Sequence, residues 1–238
     1  MIPIDTVRNV LVFREGNIAF VSAVDSCGGV GTLPGDALAA EPEIVGAYTA
    51  RTPLLEVLAT GASAVFASVS VSNSLQYAQP ILQGVRSVVG GAVALMVSTE
   101  KNMPTGMTAV GVTVTGKCPM ENLRLGGPHA GDVLYCVGLP LVGAEVLESG
   151  RLTPTPADIR SLMQKPDVHA VIPVGSKGVA NEARVLASES GRKVTLYENT
   201  SIDLYKSAGP STCVVVAAQA GTRPFGPDLP VTQIGTVY

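Results

Sequence analysis

Apolar and polar positions follow two periods along this chain. Near-continuous apolar runs at 17–24, 63–71, 92–98, 107–115, 132–137, 168–174, 193–198 and 212–218 read as strands. Between several of them the spacing turns helical. Leu54, Leu55, Leu58 and Ala59 mark one face of a helix over 51–60 that stops at Gly61, with Arg51 and Glu56 on the opposite face. A second helix covers 75–89 and ends at Gly90-Gly91. A third places Val179, Ala183, Leu186 and Ala187 together until Gly191 stops it. A short helix begins at Pro156, capped by Thr155 and with Asp158 in its first turn. Strand-like and helix-like runs alternating from end to end predict an α/β or α+β class.

The texture changes after Gly138, and Gly150, Pro154 and Pro156 punctuate the chain there. Two domains are expected, a sheet-rich one over 1–145 and a smaller α+β one over 146–238. From Gly221 onward, Pro224, Pro227 and Pro230 predict an irregular strap over the surface.

A chain of 238 residues can bury a core without disulfides. The apolar fraction of 46% belongs to that core, because charged residues, Gly or Pro interrupt every run before the roughly 20 residues a bilayer span needs. Pro3 and Asp5 follow the first residues at once and no basic stretch precedes an apolar one, so a cytoplasmic location is expected. A net charge of −3 with no basic block, four Phe, six Tyr and no Trp argues against nucleic acid as a partner. Cys27, Cys118, Cys136 and Cys213 are widely spaced and the chain has two histidines, which argues against a thiolate-and-imidazole zinc site. His129 and His169 read as loop and strand residues rather than bases. Small molecules and other copies of the chain are the expected partners.

The strand over 17–24 delivers Asp25 into the turn Ser26-Cys27-Gly28-Gly29-Val30-Gly31-Thr32. Glycines let backbone N–H groups approach phosphates, and a carboxylate at a strand end can hold a hard cation. A connecting turn with a surface Asp is the competing reading. Pro34-Gly35-Asp36 reads as turn chemistry. Glu56 is either a solvated charge paired with Arg51 or, with Asp25 and Glu100, part of a Mg²⁺ ligand set. Glu100 follows an apolar strand directly, beside Lys101, Asn102 and Thr105. Gly175-Ser176-Lys177-Gly178 opens a helix and sets a hydroxyl and an ammonium at its positive end, which suits an anion; a plain Ser cap is the alternative.

These junctions resemble the aminoimidazole ribonucleotide synthetase (PurM-like) superfamily over most of the chain. The carriers are Asp25 to Gly31 with Pro34-Gly35-Asp36, the helix ending in Gly61-Ala62, Ser98-Thr99-Glu100, Ala130 to Tyr135, and Val174 to Gly178. The resemblance implies a two-domain fold, with an N-terminal sheet domain forming a dimer barrel and a compact C-terminal α+β domain. It implies ATP and Mg²⁺ as cofactors, metal ligation by Asp25, Glu100 and Glu56, and contact with ATP by Gly28, Gly29 and Gly31. Leu55-Glu56 stands where the superfamily carries Asn-Asp. The pattern is most similar to the α-ribazole kinases of cobalamin salvage, which implies transfer of the γ-phosphoryl of ATP to the 5′-hydroxyl of α-ribazole by a homodimer. Asp25 and Lys177 are then catalytic, and Ser176 and Gly178 bind phosphate or substrate. A thiamine monophosphate kinase, a cyclo-ligase of the same superfamily and a non-catalytic nucleotide sensor are the competing functions.

Overall fold

The structure, a computed structural model, describes residues 4–224 and 228–238. It divides into two compact units, one of Met1–Val57 with Ala62–Met120 and one of Leu58–Gly61 with Glu121–Tyr238. No helix among the described residues is long and apolar enough to cross a membrane.

The first unit runs β1 (Ile4–Val7), β2 (Val10–Glu15), β3 (Ile18–Gly28), β4 (Val30–Gly31), β5 (Leu38–Ala39), α1 (Pro42–Ala59), β6 (Ser63–Val71), α2 (Leu75–Val89), β7 (Ala94–Thr99) and β8 (Ala109–Pro119). Six strands form one sheet in the order β1-β2-β3-β8-β6-β7. All its pairings are antiparallel except β6 with β7, and that parallel pair is joined by α2, the crossover such a connection needs. Two-residue turns link β1 to β2 and β2 to β3, with positive φ at Arg8 and Gly16. The sheet alternates with period two. Val10, Val12, Ala19, Val21, Ala23, Val69, Val112 and Val114 are buried on one face. Leu11, Phe13, Phe20 and Val24 belong to the other face, where the Phe13 and Phe20 rings stack 4.8 Å apart and Val24 is 70% exposed.

Helix α1 starts at Pro42 rather than at 51, with Glu43 in its first turn. Its residues do not divide into an apolar and a polar face. Val45, Ala50, Leu54, Leu55 and Leu58 are buried, and so are Arg51 and Glu56, which the sequence pattern places on the outside. The C-terminal half of this helix, buried on nearly every side, lacks the amphipathic signature on which the reading of 51–60 rested. α1 and α2 meet at glycines. A Cβ on Gly46 would run into the Ile81 carbonyl, and one on Gly84 into the Glu43 carbonyl, so the two backbones touch there.

The second unit contains β9 (Val133–Gly138), α3 (Ala144–Leu147), α4 (Pro156–Met163), β10 (Val168–Pro173), α5 (Val179–Ser188), β11 (Val194–Leu196), β12 (Cys213–Ala218) and β13 (Val231–Val237). Its five-stranded sheet, β10-β12-β9-β13-β11, is antiparallel throughout. Leu134, Ile172, Val179, Leu186, Val215 and Ile234 form its core. Because β9 is the central strand of this sheet, the units part at Met120 and Glu121 rather than near 145. The expected strap is largely a strand. Val231–Val237 pairs with both β9 and β11, burying Ile234 and Val237, and a register shift at Gly235 admits the Thr195 carbonyl where a Cβ would stand. Pro227 lies outside the described residues. The α4 cap is the one the sequence predicts: Asp158 N–H reaches the Thr155 hydroxyl while the Asp158 carboxylate takes the Thr155 N–H at 2.7 Å.

Candidate functional site

β3 continues through Gly28, so Asp25 sits inside the strand, opposite Val112, instead of in the glycine turn. Strand alternation sets it on the face of Val21 and Ala23. Burial pushes its carboxyl above the ordinary value, against the opposing pull of the Ser26 N–H, 2.9 Å away, and of the Thr52 hydroxyl of α1. Cys27 follows on the same face. Burial raises its thiol, the Thr49 hydroxyl opposes, and the charges of Asp25 and Asp36 add to the rise, so it is a poor nucleophile.

The glycine segment is tied down by its own backbone. Gly29, at φ +71°, donates its N–H to the Thr108 carbonyl at 2.9 Å, and Gly35 donates to the Gly106 carbonyl at 2.8 Å. The Gly29 carbonyl accepts from Ala37, and the Gly31 carbonyl from Ala40. Gly31 is required by crowding: a Cβ there would run into the Thr108 hydroxyl and come within 2.6 Å of both Asp36 Oδ2 and the Tyr77 hydroxyl. Gly28 is exposed and not crowded in this way.

Asp36 is the hub beneath that segment. It accepts from Leu33 N–H at 2.8 Å, Thr108 N–H at 2.8 Å and the Thr108 hydroxyl at 2.7 Å. The Tyr77 hydroxyl lies 2.8 Å from Thr108 Oγ1 and accepts the Thr32 N–H at 3.0 Å. Next to it, buried Asn73 donates to Thr105 Oγ1 and the Met107 carbonyl and accepts from Ala109 N–H, fixing the stretch that leads into β8.

These residues border a cleft of about 600 Å³ lined by Leu33, Ser74, Tyr77, Glu100, Lys101 and Thr105 among others. Its size is that of a small-molecule site. Glu100 follows β7 directly and is held there by its N–H to the Val71 carbonyl. Its Oε1 accepts the Asn102 N–H at 2.6 Å and the Met103 N–H at 3.1 Å. Those two bonds hold its carboxyl below the ordinary value, so it stands ionised in the cleft with one oxygen fixed by main chain.

In the second unit Lys177 and Ser176 are exposed, and the cap of α5 is Gly178 rather than Ser176. Gly178, at φ +82°, is required because a Cβ would meet the Leu204 and Lys206 carbonyls at 2.9 Å. The Ala180 N–H of the first turn is donated to the Leu204 carbonyl at 2.8 Å, which removes one of the donors expected to face an anion.

No protein-family model and no curated protein matches the sequence. Solved structures do. AaThiL complexed with AMPPCP and TMP superposes with a TM-score of 0.68 at 15% identity, covering 96% of this chain and 84% of that one. The thiamine monophosphate kinase of Aquifex aeolicus gives 0.66 at 17% identity over 94% and 87%. Hydrogenase maturation protein HypE in complex with ATP gives 0.64 at 15% identity over 94% and 77%. The chain shares the fold of these proteins. At these identities the likeness is one of fold.

Within this PurM-like fold the three expected metal carboxylates do not form one ligand cluster. Glu100 lines the cleft, Asp25 faces α1, and Glu56 is buried at 3% exposure with Oε1 accepting from the Asn9 amide at 3.0 Å. Glu56 belongs to the packing of α1, which removes it from the proposed ligand set. Among the described residues one group of three His, Cys, Asp or Glu side chains has its ligand atoms within reach of one another, and it lies in the second unit. Tyr77, Asn73 and Thr108 were not singled out from the sequence. The Ser74 cap, which takes the Tyr77 N–H at 3.4 Å, was the available sign that Tyr77 stands at a helix start beside the strand ends.

Proposed function

We propose that this chain is a Mg²⁺- and ATP-dependent kinase that phosphorylates the 5′-hydroxyl of α-ribazole. The kinase reading is carried by the near-full-length likeness of fold to AaThiL complexed with AMPPCP, an ATP analogue, and TMP. The cleft agrees with it, because phosphoryl transfer asks a protein for positioning and charge stabilisation. It carries an ionised carboxylate, the Lys101 ammonium and the Tyr77 and Thr105 hydroxyls. The acceptor rests on the motif resemblance alone.

In the proposed reaction the 5′ oxygen of the acceptor bonds to the γ-phosphorus as the bond from that phosphorus to the β–γ bridging oxygen breaks. ADP leaves and the hydroxyl proton passes to solvent. Glu100 would hold Mg²⁺, which supplies neutralisation of the β- and γ-phosphate charge, and Asp25 is a second proposed metal carboxylate that stands apart from it on β3. Gly28, Gly29 and Gly31 border the phosphates, and Ser176, Lys177 and Gly178 serve the transferred group or the acceptor. Lys177 and Asp25 are the proposed catalytic residues, and the use of ATP suits the cytoplasm.

A homodimer is part of the proposal. Leu11, Val24 and Met96 are exposed apolar residues on the strands of the first sheet, and Leu11 and Val24 share their face with the stacked Phe13 and Phe20. A second copy would cover that face. Light scattering is expected to give twice the chain mass, and a monomer overturns this part.

The test of function is incubation with Mg²⁺, ATP and α-ribazole, with thiamine monophosphate in a parallel arm. α-Ribazole 5′-phosphate formed in step with ADP is expected. Product from thiamine monophosphate alone would move the acceptor and keep the kinase, whereas ADP without either phosphorylated product would sink the kinase reading.

A further inference from the structure

We infer that His129, Asp132 and His169 form a binding site for one divalent transition-metal ion, with zinc the best match to its ligand types. These are the chain's two histidines, and the fold brings them together from separate elements. Their rings lie 4.1 Å apart between centroids at 43°, and one ligand atom from each of the three residues lies within 4.8 Å of the others.

Main chain also holds the ligands in place. Asp132 N–H closes a turn onto the His129 carbonyl at 3.2 Å, and Asp132 Oδ2 takes the His129 N–H at 2.8 Å. The Asp132 carbonyl accepts from Val237, and Gly131 N–H reaches the Val237 carbonyl, so β13 braces the turn. From the other side, Gly127 lies so close to β10 that a Cβ would run into the His169 carbonyl. The Asp132 side chain is 4% exposed and that of His169 18%, while His129 is exposed. The group has a buried floor and an open mouth.

The donor set selects the ion. Two imidazoles and a carboxylate are a zinc-type combination, whereas Mg²⁺ and Ca²⁺ take oxygen. Both Asp132 oxygens stand 2.9 Å from His169 Nδ1. Two ligand atoms bound tetrahedrally at zinc distances are about 3.3 Å apart. The pair therefore needs to open by only a few tenths of an ångström for the ion to take the place of the shared proton, and a water completes four-coordination. A hydrogen bond between Asp132 and His169 accounts for those two residues but not for His129, whose exposed ring stands against the His169 imidazole. No cysteine takes part, so the objection to a thiolate site does not apply. The site lies within the second unit and does not depend on the kinase reading.

The experiment uses the full chain, stripped with a chelator and titrated with Zn²⁺ against a chromophoric competitor. Co²⁺ is added in a parallel titration for its visible absorption. Wild type is expected to take one equivalent, show the d–d band of four-coordinate nitrogen and oxygen ligation, and melt at higher temperature with Zn²⁺. His129→Ala changes an exposed position and is expected to keep the metal-free melting temperature. It should weaken binding by more than about tenfold, the scale on which even outer partners of a metal act. His169→Gln should behave likewise towards the metal, and Cys27→Ser should bind as wild type does. Equal affinity in wild type and His129→Ala, or no ion retained by wild type, overturns the site.

Discussion

Thr108 donates both its main-chain N–H and its hydroxyl to the Asp36 carboxylate, to Oδ1 at 2.8 Å and to Oδ2 at 2.7 Å. With the Leu33 N–H as a third donor, one side chain joins the glycine segment to the start of β8. Leu33 lines the cleft, so this bond set fixes one of its walls. Pro34-Gly35-Asp36 is thus a turn, as its composition predicts, and its carboxylate also acts at long range.

The first prediction follows from the charge on that carboxylate. Burial opposes ionisation of Asp36, but the donors on Thr108 and Leu33 outweigh it and hold the carboxyl below its ordinary 3.8. A depressed folded-state value means stability that is full above about pH 4 and lost as pH falls through the folded value. Asp36→Asn should cost about 1 kcal/mol at pH 7, discounted for the partial exposure of the group, and the gap to wild type should narrow at pH 3. Urea melts at the two pH values check this, and a gap that does not narrow speaks against the bond set.

Glu100 is the one expected metal ligand that lines the cleft. Glu100→Gln keeps an oxygen for the Asn102 and Met103 N–H groups and removes the charge a cation needs. Turnover of Mg-ATP should fall by more than about tenfold, with melting temperature nearly unchanged and nucleotide still bound without Mg²⁺. Calorimetric titration with and without Mg²⁺ separates the two effects. Unaltered Mg²⁺ dependence would remove Glu100 from the ligand set.

What the sequence made legible were features encoded within a few residues. The Thr155 and Asp158 cap, the Gly90 stop of α2 and the strand that ends at Glu100 each depend on local spacing. Partners distant in sequence were not legible. Asp36 and Thr108 are 72 positions apart, and His169 lies 37 from Asp132, so nothing in a local window announces either group. Helix α1 misled for a different reason. Periodicity reports a boundary between core and water, and the C-terminal half of this helix, buried on nearly every side, has none, so the burial of Glu56 escaped the pattern.

The crossing of α1 and α2 is testable because it depends on two missing side chains. Gly84 abuts the Glu43 carbonyl and lies so near Ala47 that a Cβ would come within 2.8 Å of its main-chain nitrogen. Gly84→Ala improves helix propensity, which alone would stabilise, yet it forces two backbones apart. A net loss of about 1–3 kcal/mol is expected from chemical denaturation. A neutral or stabilised variant would show that the helices part at little cost.

Lys177 distinguishes a working side chain from a solvated one. It is exposed, whereas the residue after it serves the fold, because Gly178 admits the Leu204 and Lys206 carbonyls and Ala180 N–H is already donated to Leu204. Gly178→Ala should therefore lower stability through strain at positive φ, whatever it does to rate. Lys177→Ala touches none of those contacts. If its ammonium meets charge that develops on the transferred phosphoryl group, kcat should drop by more than about tenfold while ATP affinity stays close to wild type. Lys177→Arg should recover little, because a planar guanidinium does not put a point charge where the ammonium stood. A near wild-type kcat and KM for the alanine variant would take Lys177 out of the site and leave the kinase reading to stand on Glu100 and Asp25.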